Sequence, residues 1–474
     1  MLPKKLTLDA LVEDVLNLIV SYCDVAGVVA LSGTSKYLHR LASRKSVWLD
    51  LVWHLRRRGY INRQLDYEDL KSLPTQQLVG LVKRAVHGPQ TWASMTSEPT
   101  PPAFSRATRR AVNIFRKLLR WDPPPLSPPI SHYVVLHPEM QVPWYRDSTA
   151  KLLPGGTHVF VASLNRLDSL SVAEDRLIWR HSPLQFEHQT RISDHDVCLL
   201  EDERVVIAIC QLTQTHSQPN FIEIFTLDLA TNVANKELSS TIPGDLSSDC
   251  YCEVCGDIVA VRFRYSPTHL VTVLLINWRM ASSIFLADDC LISLALAPGY
   301  LVMSFLDSLA GNQLAAIPLK AIIAWRPYGS DFPGPPPTKV AELATDTYDS
   351  IRLNIHSLLG PHRSLWVYES PLHPGRFKVW LHAILKGNLH NLGLCSYEFH
   401  ENETGTQVSW RFIASSCFPE MIIGRGMSLW GHTHGTRFHR HRHNHGIFSP
   451  VHLSPLSGAI TYSTDTELAI LYYD

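Results

Sequence analysis

The stretch from Arg204 to Leu229, RVVIAICQLTQTHSQPNFIEIFTLDL, indicates the fold class of most of the chain. Residues 204–209 and 221–229 are two apolar, β-branched runs separated by polar residues, which is the pattern of two strands and their connection. Along the second run, one face carries four large apolar side chains beside Glu223, and the other carries Ile222 and Ile224. A strand that is apolar on both faces is expected to lie between two other layers.

Comparable runs recur through residues 133–474. The further candidate strands are 158–162, 257–265, 270–278, 377–385 and 459–473. Helical periodicity fades over the same region, so we expect it to form an all-β domain.

A weak repeat organises this region. Its members are Leu177-Ile178-Trp179, Phe225-Thr226-Leu227, Ile276-Asn277-Trp278 and Ile323-Ala324-Trp325, which lie 48, 51 and 47 residues apart. This period is close to the roughly 40–50 residues of a β-propeller blade. By analogy we expect a WD-like propeller of six to eight blades, although no Trp-Asp dipeptide ends a strand. The alternatives are a pair of β-sandwiches or a leucine-rich solenoid, whose shorter Leu-rich period is not found.

Residues 1–60 are helical in pattern. Apolar residues between Leu8 and Tyr22 recur at i, i+3, i+4 and i+7, which predicts one amphipathic helix with Asp9 as its N-cap. Three further short helices are predicted to begin at Asp24, at Thr34 or Ser35, and at Ser46. Helices this short bury little surface alone, so the rest of the chain or a partner should cover their apolar residues.

These segments resemble an F-box. They run in the order Leu11-Val12-Glu13-Asp14-Val15-Leu16, Tyr22-Cys23-Asp24, Ser35-Lys36-Tyr37-Leu38 and Val47-Trp48. The family pattern commonly has a proline where Val12 stands, and here Gly27 falls inside the second helix. Two further segments, Leu153-Pro154-Gly155-Gly156 and Leu453 to Asp474, extend the resemblance. With them, the chain is similar to fungal, basidiomycete-type F-box proteins with a divergent C-terminal propeller.

The resemblance implies docking on the Skp adaptor of a Skp–cullin–F-box ubiquitin ligase. Carried over by position, the core or docking residues would be Leu11, Val15, Ile19, Leu31 and Trp48, with Glu13 and Asp14 near the adaptor surface. The expected fold class is α+β multidomain: an all-α F-box at 1–56, a helical stalk and Pro-rich linker at 57–132, and a propeller-like substrate-binding domain at 133–474. An ordinary helical cap on a larger domain is the alternative for the first unit.

The stalk and linker combine short helices with proline-rich segments. Residues 67–73 and 74–85 predict two short amphipathic helices, with Pro74 suited to a helix start. Between the prolines near 99 and 125, residues 106–121 form a basic amphipathic segment. Such a segment can bind a membrane surface or a partner, but packing on a neighbouring domain is the simpler interpretation.

Composition limits the function classes. The 474 residues carry 43 Lys+Arg and 43 Asp+Glu, so overall charge gives no argument for binding nucleic acid or an anionic membrane. The nine cysteines are scattered and odd in number, which does not favour a disulfide scaffold. No secretory signal or membrane-spanning stretch stands out, so we expect a cytoplasmic or nuclear protein without a cofactor.

Two clusters suggest metal chemistry. His432, His434, His439, His441, His443 and His445 share one short segment, but no acid or cysteine accompanies them between 421 and 450. We therefore expect a solvated loop between strands, with adventitious metal binding as an alternative. Cys250, Cys252 and Cys255 would be half of a zinc site, but no second Cys-x-x-Cys follows, so we expect ordinary strand residues.

The first hypothesis is therefore a substrate-recognition adaptor that binds Skp and an unidentified protein substrate, and that is not an enzyme. The second is a non-degradative interaction scaffold. The third, a hydrolase or metal enzyme on a propeller, lacks any recognised catalytic motif.

Overall fold

The structure is a computed structural model of the chain. The described residues are 8, 11–61, 65–87, 132–137, 149–163, 166–181, 190–200, 204–213, 220–242, 250–264, 271–287, 291–307, 311–322, 325–327, 338–339, 350–352, 358–385, 391–401, 408–419, 428–434, 437–443, 452–453, 459–463 and 468–472. The basic segment 106–121 and its proline-rich flanks, like the predicted cap Asp9, lie outside the described residues.

The N-terminal described residues form six helices. They are α1 (Glu13–Ser21), α2 (Val25–Ser32), α3 (Lys36–Ala42), α4 (Lys45–Arg57), α5 (Tyr67–Ser72) and α6 (Thr75–His87). Two caps are as predicted: the carboxylate of Asp24 accepts the Gly27 N–H at 2.6 Å, and the Ser35 hydroxyl accepts the Leu38 N–H at 3.2 Å. Helix α1 begins after Val12, which lies in extended backbone and makes no side-chain cap.

The six helices share one apolar core. Its fully buried members include Leu16, Val28, Val52, Leu70 and Leu78, which come from α1, α2, α4, α5 and α6 in turn. The predicted stalk helices α5 and α6 therefore pack on the first four helices rather than extend away from them. We call α1–α6 the helical unit.

The glycine inside α2 has a packing role. A Cβ atom at Gly27 would lie 3.1 Å from the capping carboxylate of Asp24 and 3.2 Å from the Cβ of Cys23. These separations are too tight for a side chain unless its neighbours move. The departure of Gly27 from the F-box pattern thus matches a close approach between the α1–α2 turn and the first turn of α2.

Apart from one 3₁₀ turn at Leu319–Ala321, the regular elements in the rest of the described chain are β-strands. The strands are β1 (His132–Leu136), β2 (Thr149–Leu152), β3 (His158–Ser163), β4 (Arg166–Ser171), β5 (Arg176–His181), β6 (Thr190–Leu199), β7 (Arg204–Thr213), β8 (Asn220–Asp228), β9 (Val233–Ile242), β10 (Tyr251–Cys255), β11 (Ile258–Arg264), β12 (Val271–Asn277), β13 (Ser282–Ala287), β14 (Leu291–Ala297), β15 (Tyr300–Asp307), β16 (Gly311–Pro318), β17 (Arg326–Pro327), β18 (Thr338–Lys339), β19 (Ser350–Arg352), β20 (Leu358–Glu369), β21 (Arg376–Leu385), β22 (Asn391–Glu401), β23 (Val408–Pro419), β24 (Ser428–His434), β25 (Arg437–His443), β26 (His452–Leu453), β27 (Ile460–Ser463) and β28 (Leu468–Tyr472).

Within the described residues these strands form seven sheets, almost entirely antiparallel. Five follow one another along the chain: β2–β5, β6–β9, β10–β13 with β17 and β18, β14–β16 with β19, and β20–β23. A two-stranded sheet, β24–β25, follows them. In the seventh sheet the order is β1-β28-β27-β26, so the first and last strands of the β region are direct neighbours, with Val134 opposite Ile470. The expectation of N-terminal helices followed by a large all-β region is therefore confirmed.

Apolar cores lie between successive sheets. Phe160 of β3 packs with Ile207 of β7, Val206 of β7 packs with Val261 of β11, and Leu275 of β12 packs with Leu301 of β15. Strands such as β7 and β8 are buried on both faces because a neighbouring sheet covers each side. The two-faced apolar pattern of 204–229 therefore has the predicted cause.

Polar side chains connect the first strands of neighbouring sheets. Lys151 of β2 pairs with Asp196 of β6 at 3.1 Å, and Asp196 accepts the backbone N–H of Val254 of β10 at 2.7 Å. Glu253 of β10 then accepts the N–H of Leu296 of β14, also at 2.7 Å. Burial, with the nearby charge of Asp196, raises the pKa of Glu253 to about 8.

Three predictions about this region need correction. The repeat members do not occupy equivalent positions in their sheets. Trp179 lies in β5, the fourth strand of its sheet, whereas Leu227 lies in β8, the third strand of the next sheet, and Trp325 lies just before β17. Residues 459–473 contain two strands, β27 and β28, instead of one. The histidine-rich segment is paired backbone in β24 and β25, not a loop, with His432 opposite His439.

None of the helices in the described ranges is long and apolar enough to cross a membrane.

Candidate functional site

Large apolar side chains are exposed along one side of α1. Val12, Val15, Leu18 and Tyr22 recur every three or four residues, and they are 70%, 45%, 59% and 84% exposed. We call these four residues the α1 stripe. Leu8 precedes it and Val29 of α2 is also exposed, so the segment 8–29 holds half of the twelve exposed large hydrophobic residues of the described chain.

The stripe exists because α1 has two apolar faces. Leu16 and Val20 are almost fully buried and attach the helix to the core of the helical unit. With 3.6 residues per turn, the stripe residues fall outside that buried face. The prediction of a single apolar face from Leu8 to Tyr22 is therefore wrong. Contiguous exposed apolar surface is typical of interaction sites.

The structure divides the seven predicted docking residues into two groups. Glu13, Asp14 and Val15 are exposed on α1. The half-buried group, which packs against the core of the helical unit, is Leu11, Ile19, Leu31 and Trp48. Sequence reasoning assigned no docking role to Val12, Leu18, Tyr22 or Val29. The sequence does contain a sign of the stripe. Val12, Val15 and Leu18 are three residues apart, whereas the buried Leu16 and Val20 are four residues apart and lie on another face of the helix.

The charged residues beside the stripe are held in place. Arg44, next to α4, pairs with Glu13 and donates a hydrogen bond to the side-chain oxygen of Asn17 at 3.1 Å. Arg44 and Glu13 are both more than 40% exposed, so the pair contributes little to stability. Its effect is to orient the start of α1 against α4.

A second set of contacts fixes the helical unit on the β region. The Arg58 guanidinium lies 2.9 Å from the carboxylate of Glu369 and donates to the Ser370 carbonyl at 2.6 Å. The Tyr60 hydroxyl donates to the Glu369 carbonyl, and burial is the main cause that raises the pKa of Tyr60 well above its usual value. Leu372 packs against the helical core. We call the β20–β21 turn, residues 369–376, the anchor turn.

The anchor turn also reaches the beginning of α2. The His373 ring lies 3.4 Å from the carboxylate of Asp24, the residue that caps α2. The α1 stripe and the β20–β23 sheet are therefore connected through α2, α4 and the anchor turn. This connection sets the distance between the exposed apolar surface and the β region.

Arg58→Ala is expected to loosen this connection. The substitution removes an ion pair and a hydrogen bond that are both about three-quarters buried, at a cost of roughly 2 kcal/mol. Hydrogen–deuterium exchange should show faster exchange of the amides of residues 369–376, including the Gly375 N–H, which donates to Glu369 at 2.7 Å.

A matched control is Arg279→Ala. Arg279 also pairs with an acid, Asp257, but both side chains are more than 40% exposed and lie far from the helical unit in sequence. It should leave exchange in the anchor turn unchanged. Equal exchange in wild type and Arg58→Ala would show that Arg58 does not hold the junction.

The cysteine and histidine clusters that suggest metal chemistry lie in the β region, away from the α1 stripe in the sequence. Cys250 and Cys252 are buried in the apolar core between the β6–β9 and β10–β13 sheets. Cys252 and Cys255 are strand residues of β10 as predicted, whereas Cys250 directly precedes that strand. Among the described residues no group of three potential metal ligands converges. The side chains of the histidine segment lie outside the described residues.

Comparisons with known proteins give matches among solved structures. No family model matches the sequence, and no curated protein matches it. Solved structures that match include the WD40 domain of SCAP from fission yeast, at 9% identity and TM-score 0.24, covering 69% of this chain and 81% of that one. Drosophila Semaphorin 1b, extracellular domains 1-2, matches at 9% identity and TM-score 0.30, covering 72% of this chain and 86% of that one. Drosophila Semaphorin 2a matches at 8% identity and TM-score 0.32, covering 73% of this chain and 76% of that one. TM-scores this low carry no argument about function.

Proposed function

We propose that the chain is a substrate-recognition adaptor of a Skp–cullin–F-box ubiquitin ligase. The observation that carries the proposal is the α1 stripe, because it lies in the segment whose sequence resembles an F-box. Among the described residues, the four apolar residues of this row stay exposed and lie outside the apolar core of the helical unit. Burial against an adaptor would remove this surface from water.

For the β region we propose a propeller-like ring. Support comes from topology: five consecutive sheets contact their neighbours through their first strands, and β1 joins β28 in one sheet. A ring closed by pairing the first and last strands of the β region leaves few free edges. Such a domain would present its turns and grooves to a protein substrate.

The proposed role requires no bond chemistry from this chain. The stripe binds the adaptor, the β region binds the substrate, and the anchor turn keeps the two at one distance. The chain would then raise the effective concentration of substrate lysines near the ligase-bound ubiquitin. The alternative, a non-degradative scaffold, uses the β region in the same way but leaves the stripe without this partner.

Co-expression of the full chain with a Skp adaptor from the same type of cell tests the proposal. We expect a one-to-one complex that persists through size-exclusion chromatography. A chain that elutes alone, folded and free of adaptor, would contradict the adaptor role and favour the scaffold.

A further inference from the structure

One face of the β20–β23 sheet points away from the apolar core of that sheet. Phe377, Val379 and Phe399 pack toward the β14–β16 sheet. Side chains alternate along a strand, so the residues between them lie on the opposite face. There, Lys378 of β21 lies opposite Glu398 of β22, and Glu398 lies opposite Arg411 of β23.

Cations outnumber acids in this row. Arg376 donates to one oxygen of Glu398 at 3.4 Å, and Arg411 donates to the other at 3.1 Å. Lys378 is only 5% exposed, and its pKa is lowered to about 8, first by burial and also by Arg411, against the opposing effect of Glu398. One carboxylate thus faces three basic side chains. We call Arg376, Lys378, Glu398 and Arg411 the basic row.

The two arginines retain donors that face solvent. The side chains of Arg376 and Arg411 are 40% and 68% exposed, and a guanidinium has five N–H donors. Each guanidinium uses only part of its donors on Glu398, so it can bind a further anion without breaking that pair.

A cleft begins at the Arg376 end of the row. It has a volume of about 630 Å³ and is lined by Arg376, His400, Tyr300 and Phe377, among others. The turns at Gly299 and Gly375 border it, and a Cβ atom at either glycine would meet no atom within 4 Å. The cleft is therefore open between these two turns and has an aromatic floor. Its lining carries two cations, Lys320 and Arg376, and two acids, Glu369 and Glu401, so the excess of positive charge comes from the basic row.

We infer that the basic row and this cleft bind an acidic, extended peptide segment of the protein cargo. The inference rests on the proposed function, in which the β region holds cargo. Charge complementarity selects an acidic segment, and the open cleft with its Tyr300–Phe377 floor accommodates a chain rather than a small anion. The site also adjoins the anchor turn, because Glu369, Gly375 and Arg376 line the cleft.

The spacing of the cations favours carboxylates over a single phosphate. Arg376 and Arg411 come from β21 and β23, with β22 and Glu398 between them. Both guanidinium groups contact Glu398, one at each carboxylate oxygen, so their charged ends flank that side chain. Alternate residues of an extended peptide lie on one face roughly 7 Å apart, a spacing that lets two acids reach the two arginines separately. A single phosphate needs its cations to converge on one point, and here Glu398 already occupies that point.

The test uses the full chain without any Skp adaptor. A display library of random seven-residue peptides is selected on the immobilised protein, and the enriched peptides are sequenced. We expect enrichment of Asp and Glu, often two positions apart. A selected peptide, labelled with fluorescein, should bind about tenfold more weakly to Arg411→Glu, and more weakly as salt is raised.

The matched control is Arg176→Glu, which changes an equally exposed arginine of β5, 62% exposed and paired with Glu174. It should bind the peptide as wild type does. No enrichment of acids, or the same affinity in Arg411→Glu, would overturn the inference. Displacement of the peptide by millimolar inorganic phosphate would also overturn it, since the site would then prefer a compact anion.

Failure here can be separated from failure of the adaptor proposal. A chain that binds Skp but selects no acidic peptide refutes the basic row alone. A chain that selects acidic peptides but does not bind Skp refutes the adaptor role and leaves the surface as a site of a scaffold.

Discussion

The double substitution Val15→Asp with Leu18→Asp is expected to abolish binding of a Skp adaptor while leaving the protein folded. Both side chains are about half exposed in the free chain, so they can become charged without disturbing the helical core. In a complex, each would lose apolar burial worth roughly 1.5–3 kcal/mol and would add a desolvated charge. The affinity should therefore fall at least about a hundredfold, measured by size-exclusion chromatography and calorimetry.

Exposure guides the choice of these positions. Leu11 and Trp48, which sequence reasoning also assigns to docking, are half-buried against the helical core, so their replacement would unfold the helices as well as block binding. Val233→Asp is a matched control, because Val233 is 53% exposed at the start of β9. The adaptor should bind this variant normally. Adaptor binding that survives the double substitution would exclude the α1 stripe as the docking surface.

Local signals in the sequence predicted much of the fold. Capping by Asp24 and Ser35 depends on one side chain and a backbone N–H three residues later, so the sequence contains all the information needed. Strands 204–209 and 221–229 were recognisable because burial on both faces leaves a continuous apolar run.

Long-range packing explains what sequence reasoning missed. The apolar residues of α1 belong to two faces, and only the tertiary position of Leu16 and Val20 separates the buried face from the α1 stripe. The basic row joins residues of β21, β22 and β23 across a register that no single segment displays. The anchor turn, which connects Arg58 with Glu369, is likewise invisible in the sequence, because the two residues lie more than 300 positions apart.

Glu223→Ala is expected to cost about 3 kcal/mol of the free energy of unfolding, because removal of one partner leaves buried polar groups without compensation. Glu223 is 0% exposed in β8. Its carboxylate lies 3.0 Å from Nε2 of His181, 2.5 Å from Nζ of Lys236, and accepts a hydrogen bond from Gln211. Since His181 belongs to β5, the group connects the β2–β5 and β6–β9 sheets. The midpoint of urea unfolding measures the effect.

The control for Glu223→Ala is Glu174→Ala, which removes an acid that is 57% exposed and paired with Arg176 at 2.8 Å. An exposed pair of this kind is worth roughly 0–1 kcal/mol, so the midpoint should hardly move. Equal midpoints for the two variants would show that the buried group does not hold the sheets together.

Acid should remove the same stabilisation in the wild-type protein. Burial acts to raise the pKa of Glu223, but the hydrogen bonds and charges of His181 and Lys236 outweigh burial and hold this pKa below its usual value of 4.5. A lowered pKa stabilises the folded state above the unfolded pKa, and the benefit is lost as the pH falls through the folded pKa. Between pH 6 and pH 3, the urea midpoint should therefore fall more steeply for wild type than for Glu223→Gln, which cannot ionise. Parallel curves for the two proteins would contradict the role of Glu223 as a buried charge.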